Sequence, residues 1–270
     1  MNIDQLSREY EIAPEVREIA GLVEDVSGKE LDVQLVVNLG TDGSTKIARE
    51  KMPRHIVKVR ENNTSRVNHI IAHECGHIMR TIQAAPAERV IPSSNTETSA
   101  AAFRDLQAEM ASVPENSREQ LFTLWTGGMI NQLVNLPVDV RIERWLYDSY
   151  PSFRDMQRKS LAIDVNNSLG GLSEKVASIT IKPVFEKSNA MIYAYLRGLT
   201  PVTREDYAPY FKKHQDIKKL GRKLYKHLEE EDKGFAQDIE IINAWAEILG
   251  IDSWFEWIGF EDVPESYYEG

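Results

Sequence analysis

The 270-residue sequence lacks the features that mark secreted, disulfide-rich proteins and membrane proteins. It contains a single cysteine, Cys75, so no disulfide can form within the chain. No apolar run reaches the roughly 18 residues that a membrane-spanning helix needs, and we expect no membrane partner. Residues 1–10 are polar and charged, without the apolar core of a signal peptide. We therefore expect a cytoplasmic protein.

Basic residues are also in the minority, since 32 Lys and Arg stand against 42 Asp and Glu, for a formal net charge of −10. A surface with this balance repels phosphate backbones, so we expect no nucleic-acid partner. Residues 212–226 concentrate lysine and arginine, and acidic residues follow at 229–232. We interpret this stretch as the solvated face of a helix rather than as a nucleic-acid or membrane contact.

The most informative stretch is an H-E-x-x-H pentad, residues 73–77, inside an apolar run. Apolar residues at helical spacing predict a helix over about residues 65–83, with Thr64 or Ser65 as its N-cap. His73 and His77 then lie one turn apart on one face, where both imidazoles can bind the same metal ion. Zinc suits such a pair, and Glu74 stands where the general base for a metal-bound water is needed.

Two other residues of this helix have more than one interpretation. Cys75 lies about 200° round the helix from His73, so we interpret it as a small buried side chain rather than a ligand. His69 lies one turn before His73 and either supports the metal site through another residue or simply belongs to a polar helix edge.

Together with the strand-like residues 54–59 ahead of it, the pentad resembles the active-site helix of the zincin metallopeptidases. In that family an edge strand ahead of the helix commonly holds the extended substrate, which implies a peptide or protein substrate here. The metzincin branch would have Gly and His three and six positions after the second histidine, where this chain has Arg80 and Gln83. The resemblance is closer in outline to the gluzincins.

A catalytic zinc of this kind usually has a third protein ligand and a fourth position for water. Asp139 and Glu143 stand four apart and point the same way on a helix whose first turn suits Pro137. Gluzincins have a Glu ligand followed four residues later by an Asp that hydrogen-bonds a zinc-binding histidine, and the order here is reversed. We expect Asp139 to be the ligand and Glu143 to fix the tautomer of a histidine. Glu143 as the ligand, or a solvent-facing pair bound to Arg141 or Arg144, are the alternatives.

Helix signals dominate the chain, so the predicted fold is α+β and mostly α-helical, zincin-like, with a small twisted sheet packed on the active-site helix. We expect residues 1–150 to form the catalytic core, with the sheet, the pentad helix and the third-ligand helix. Residues 151–270 are expected to form a helical C-terminal lobe that completes the cleft. A side chain of this lobe is expected to stabilise an oxyanion, and the candidates are Tyr193, Tyr195, Tyr207 and His214.

The tail, residues 252–270, is acidic and rich in aromatic residues. Such a segment is too apolar to stay in solvent, so it either docks on its own lobe or occupies the cleft or a partner protein's groove.

These features predict a zinc-dependent metallopeptidase with Glu74 as general base. One alternative is a metal-binding regulatory or interaction protein that keeps the zincin fold without proteolysis and has no need of Glu74. The other is a metal-free helical scaffold or toxin-neutralising protein in which the pentad is accidental.

Overall fold

The computed structural model describes residues 1–268, and within them the protein is α+β and mostly helical, as the sequence predicts. The strands are β1 (Glu30–Val36), β2 (Gly43–Lys46), β3 (Arg54–Arg60), β4 (Val90–Ser93) and β5 (Glu256–Gly259). The helices are α1 (Ile3–Leu6), α2 (Pro14–Ser27), α3 (Val67–Ile82), α4 (Thr96–Met110), α5 (Glu115–Ser149), α6 (Arg154–Leu169), α7 (Glu174–Ile179), α8 (Lys182–Thr203), α9 (Gln215–Tyr225) and α10 (Phe235–Leu249). Short 3-10 turns lie between them at Glu61–Arg66, Pro86–Glu88, Pro151–Phe153, Gly170–Leu172, Ala208–Phe211, Lys226–Leu228, Asp252–Trp254 and Glu265–Tyr267. No helix of this part of the chain combines the length and apolar character needed to cross a bilayer.

Contacts between residues divide the chain into two compact units, each built from separate segments. The sheet unit comprises Met1–Val90, Ile142–Ser160 and the chain from Gly259 onward, and the helical unit comprises Ile91–Arg141 and Leu161–Ile258. The sequence instead predicts a single domain boundary near residue 150. A single boundary does not match the two units, because α5 is one continuous helix of 35 residues. Its last residues belong to the sheet unit and its first residues to the helical unit.

The main sheet has three strands in the order β1-β3-β2. β1 pairs with β3 in parallel and β2 pairs with β3 in antiparallel fashion. The expectation that the strand before the pentad helix is an edge strand is therefore wrong, because β3 is central and β2 is the edge. Sequence patterns do not predict β2, because its residues, Gly-Ser-Thr-Lys, show no alternation of apolar side chains.

Helix α3, which carries the pentad, is buried on nearly every side and packs against α2, β2 and β3. It begins after the turn Glu61–Arg66, and its N-cap is Arg66, without a side-chain cap bond. Ser65 is therefore not the N-cap that the sequence suggests, and the Thr64 side chain lies outside the described part of the chain. Helix α2 begins at Pro14 and ends at Ser27, and Gly28 caps it in the left-handed conformation.

Helix α5 passes through Pro137, which lies inside the helix rather than in a first turn. Proline supplies no amide hydrogen, and an interior proline costs a helix about 3 kcal/mol. Leu133, Val140 and Ile142 are fully buried on both sides of it, and burial of each such side chain contributes about 1.5–3 kcal/mol. Packing therefore outweighs the local penalty, and the helix continues through Pro137.

Helices α8 and α9 pack closely in the helical unit. Gly198 is an interior position of α8, although glycine commonly ends helices, and a Cβ there would lie 2.7 Å from the Val140 side chain. The apolar face of α9, with Ile217, Gly221 and Leu224, is buried, and its lysine and arginine side chains lie on the other face. This arrangement agrees with a solvated basic face.

Candidate metal centre

The two histidines of the pentad converge on one point. His73 Nε2 and His77 Nε2 lie 3.2 Å apart. Two nitrogen ligands of a tetrahedral zinc ion, each about 2.0–2.1 Å from the metal, would be ~3.3 Å apart. The imidazoles therefore already have the separation of two ligands of one ion.

A buried carboxylate holds the other nitrogen of the first histidine. Glu143 is 1% exposed, and its Oε1 lies 2.7 Å from His73 Nδ1. Because an ionised carboxylate can only accept, Nδ1 carries the proton and Nε2 presents its lone pair. Glu143 thus lies where a group that fixes a histidine tautomer has to lie.

Glu143 is itself held by two further side chains. His69 Nε2 lies 3.1 Å from Oε2, and Gln157 Nε2 donates both to Oε2 and to the Glu143 carbonyl oxygen, at 2.7 Å each. Burial alone would raise the pKa of Glu143, but the neighbouring His69 and His73 outweigh it and hold that pKa well below its usual range. The carboxylate stays ionised, and both of its oxygens accept hydrogen bonds. The sequence leaves the role of His69 open and gives no sign of Gln157, because no spacing rule links α6 to Glu143 on α5.

A glycine of the pentad allows this contact. A Cβ on Gly76 would lie 2.5 Å from Ile142 Cγ2, so only glycine lets α3 approach the end of α5 this closely. Cys75, next to it, is fully buried, and burial raises the pKa of its thiol. It is a packing residue rather than a thiolate ligand, as expected.

Asp139 lies one turn before Glu143 on the same continuous helix. His73, His77 and Asp139 each offer one ligand atom, and these atoms all lie within 4.8 Å of one another. Arg141 lies 2.8 Å from Asp232. These three residues could together hold a metal ion, and Asp139 as the ligand stays a prediction.

Glu74 lies against the edge strand β2. Thr45 Oγ1 donates to Glu74 Oε2 at 2.5 Å, and a Cβ on Gly43 would lie 2.6 Å from Oε1. Sequence patterns miss both residues, since neither belongs to a motif and β2 gives no strand signal. The edge strand and the carboxylate expected to act as base are thus direct neighbours.

The four residues considered for oxyanion stabilisation belong to the helical unit. Tyr193, Tyr195 and Tyr207 are buried there, Tyr193 packs edge-on against Phe211 at 5.0 Å, and burial raises the pKa of Tyr207. His214 lies beside Phe185, with ring centroids 6.1 Å apart. These contacts are those of core side chains, and a role in catalysis stays a prediction.

The described part of the tail docks on the protein itself. Trp254 Nε1 donates to Asp105 Oδ2 at 2.8 Å within the helical unit. In the sheet unit, the Arg49 guanidinium lies 3.4 Å from the Phe260 ring centroid, and the Tyr267 hydroxyl donates to the Ile47 carbonyl. Docking is one of the two interpretations that the aromatic content allows.

Comparisons of the chain with protein-family models, with curated protein sequences and with solved structures find no match. A proposal about function therefore depends on the geometry of this centre.

Proposed function

We propose that the protein is a zinc-dependent metallopeptidase of zincin type. The observation that carries this proposal is the convergence of His73 Nε2 and His77 Nε2, with the His73 proton fixed on Nδ1 by buried Glu143. Two imidazole nitrogens and a carboxylate oxygen are a donor set that suits catalytic zinc. The residues present therefore fit the metal that the pentad implies.

His73, His77 and Asp139 would hold the ion. Zinc held there would supply Lewis acidity, which would lower the pKa of a bound water toward about 7 and polarise a substrate carbonyl. Glu143 keeps His73 in the tautomer that binds metal, and it is a positioning residue rather than a ligand. Glu74 takes the proton of the attacking water and delivers it to the leaving amine. Thr45 holds Glu74 by Oε2, so the proton transfer is assigned to Oε1.

The substrate is an extended peptide or a protein segment. β2 is the edge of its sheet and lies directly beside Glu74. An extended peptide can pair with such an edge through backbone hydrogen bonds, which would bring its carbonyl groups past the base. The resemblance to zincins supports the same role for an edge strand, and β2 takes the place first expected for β3.

A second candidate is a metal-binding regulatory or interaction protein without proteolysis. The short hydrogen bond from Thr45 favours it, because this bond already engages the carboxylate that would act as base. In that case the metal would hold α3 and α5 together and Glu74 would have a structural role.

Zinc content of the purified protein, measured by mass spectrometry, tests the site. We expect about one zinc per chain, lost in His77→Ala and in Asp139→Ala. Glu143→Ala should still bind zinc but about 10- to 100-fold more weakly, the usual effect of losing the group that orients a ligand. A wild-type protein without metal even after zinc is supplied would contradict the proposal, and complete metal loss in Glu143→Ala alone would make Glu143 the ligand.

Hydrolysis of a proteome-derived peptide library, read by mass spectrometry, separates the two candidates. Wild type should cleave it, and Glu74→Gln should keep its zinc yet lose nearly all turnover. Thr45→Val is the matched control, since it removes the bond to Glu74 but leaves the carboxylate. A zinc-loaded wild type that cleaves nothing would favour the regulatory protein.

A further inference from the structure

The helical unit contains a cavity of about 440 Å³ between α5, α8 and the turn Gly170–Leu172 that joins α6 and α7. Its walls include Trp125, Met129, Val184 and Ile192, together with a few uncharged polar side chains. None of the residues that line it in the described chain is charged. Size and lining are those of a site for a small molecule.

One polar group in this wall is left without a partner. Asn189 is 2% exposed, and its Nδ2 donates to the carbonyl oxygens of Phe185, at 2.9 Å, and Gly171, at 3.3 Å. Its Oδ1 is buried and accepts no hydrogen bond from the described residues. A Cβ on Gly171 would lie 3.3 Å from Oδ1, so the glycine leaves space beside this acceptor.

Another polar pair in the cavity wall makes a hydrogen bond between its side chains. Ser188 Oγ donates to Gln132 Oε1 at 2.8 Å, so this side-chain oxygen, unlike Asn189 Oδ1, has a donor. A lone water beside Asn189 Oδ1 would need two to four polar partners, and both amide hydrogens of Asn189 are already used. A ligand with one donor would satisfy this acceptor, and its apolar body would contact the apolar part of the wall.

We propose that this cavity binds a small, uncharged, mostly apolar molecule whose single N–H or O–H donates to Asn189 Oδ1. An uncharged ligand is required because no lining residue could compensate a charge taken out of water. This site is independent of the metal centre and of the proposed peptidase activity.

Two isosteric probes test the proposal by isothermal titration calorimetry on the full-length protein. Indole has one N–H, and benzofuran has the same shape without a donor. We expect indole to bind with a dissociation constant in the millimolar range or below, and benzofuran to bind about fivefold more weakly, the usual effect of one missing hydrogen bond. No binding of indole at millimolar concentration, or equal binding of both probes, would overturn the proposal.

Two neighbouring glycines provide a matched pair of variants that locates the site. A Cβ on Gly127 or on Gly128 meets nothing within 4 Å, but only Gly128 lines the cavity. Both lie inside α5, where replacement of glycine favours the helix, so both variants should fold. Gly128→Phe should weaken indole binding at least about tenfold, and Gly127→Phe should leave it unchanged. Equal effects of the two variants would place indole elsewhere and refute the assignment.

Discussion

His55 is a single residue whose burial has a measurable consequence. It lies on β3 with none of its surface exposed, and its Nδ1 accepts the Ala48 amide hydrogen at 3.0 Å. Burial, with a smaller contribution from the positive charge of Lys29, lowers the pKa of His55 from 6.5 to about 4. His55 is therefore neutral in the folded protein across the range in which an unfolded chain takes up a proton.

This difference in proton uptake predicts how stability depends on pH. The unfolded state binds one more proton than the folded state between about pH 6.5 and 4, so the free energy of unfolding should fall as the pH falls through that window. The loss attributable to His55 should be on the order of 3 kcal/mol once the pH is below about 4. Urea denaturation at several pH values measures it. His55→Asn keeps an acceptor but does not titrate, and its stability should vary less with pH; an unchanged pH dependence in this variant would contradict the prediction.

At the scale of single residues, the sequence predicts those members of the candidate centre that stand one helical turn from another member. It misses the members that come from other strands or helices. His73, His77 and the pair Asp139 and Glu143 follow from spacing, because four residues correspond to about one helical turn. Thr45 and Gln157 reach the centre only through tertiary contacts, from a strand and from another helix. Spacing along the chain carries no information about such contacts.

At the scale of elements, the closeness of α3 and α5 depends on Gly76. Adding a Cβ there would force Ile142 away from α3, and Glu143 follows Ile142 in the same helix. We expect Gly76→Ala to lower the free energy of unfolding by about 1–3 kcal/mol, as overpacking does. It should also weaken zinc binding, measured by competition with a chelator, because Glu143 moves away from His73.

Two further variants test this explanation. Gly21→Ala lies inside α2, where a Cβ meets nothing within 4 Å, and it should be neutral or slightly stabilising. Adding Ile142→Ala to Gly76→Ala should restore part of the zinc affinity, since the obstructing side chain is gone. If the double variant binds zinc no better than Gly76→Ala, the contact with Ile142 is not the cause.

Elements with strong local signals are those that the sequence predicts well. α2 has a proline start, a glycine end and a regular apolar face, and α3 and β1 have clear periodicity. Pro137 and Gly198 share one physical cause of failure, because each suggests a helix end that burial of its neighbours overrides. Local propensity decides the structure only where packing does not oppose it.

At the scale of the whole molecule, the two units are interleaved along the chain. The chain leaves the sheet unit after Val90, returns for Ile142–Ser160 and returns again at Gly259. Contacts between positions so far apart in sequence leave no periodic trace in it. One consequence is that the end of the chain belongs to the same unit as the pentad helix.

The tail is therefore expected to stabilise the sheet unit rather than to inhibit the proposed peptidase activity. Arg49 is 3% exposed and lies between the rings of Phe260 and Tyr267, with its guanidinium 3.4 Å and 4.5 Å from their centroids. The Tyr267 hydroxyl also bonds the carbonyl oxygen of Ile47, the residue directly after the edge strand β2. Loss of this segment would expose Arg49 and release the chain beside the proposed substrate strand.

Removal of residues 260–270 should lower the free energy of unfolding by about 3–5 kcal/mol, from lost ring burial and lost cation–π contacts. Proposed peptidase activity should fall with it, because β2 is held less firmly. Tyr267→Phe keeps the ring and loses only the hydroxyl bond, so it should cost about 0.5–1.5 kcal/mol and leave most activity. Chemical denaturation and peptide hydrolysis measure both variants. Higher activity after truncation would instead show that the tail covers the cleft, because only removal of an obstruction can raise turnover while stability falls.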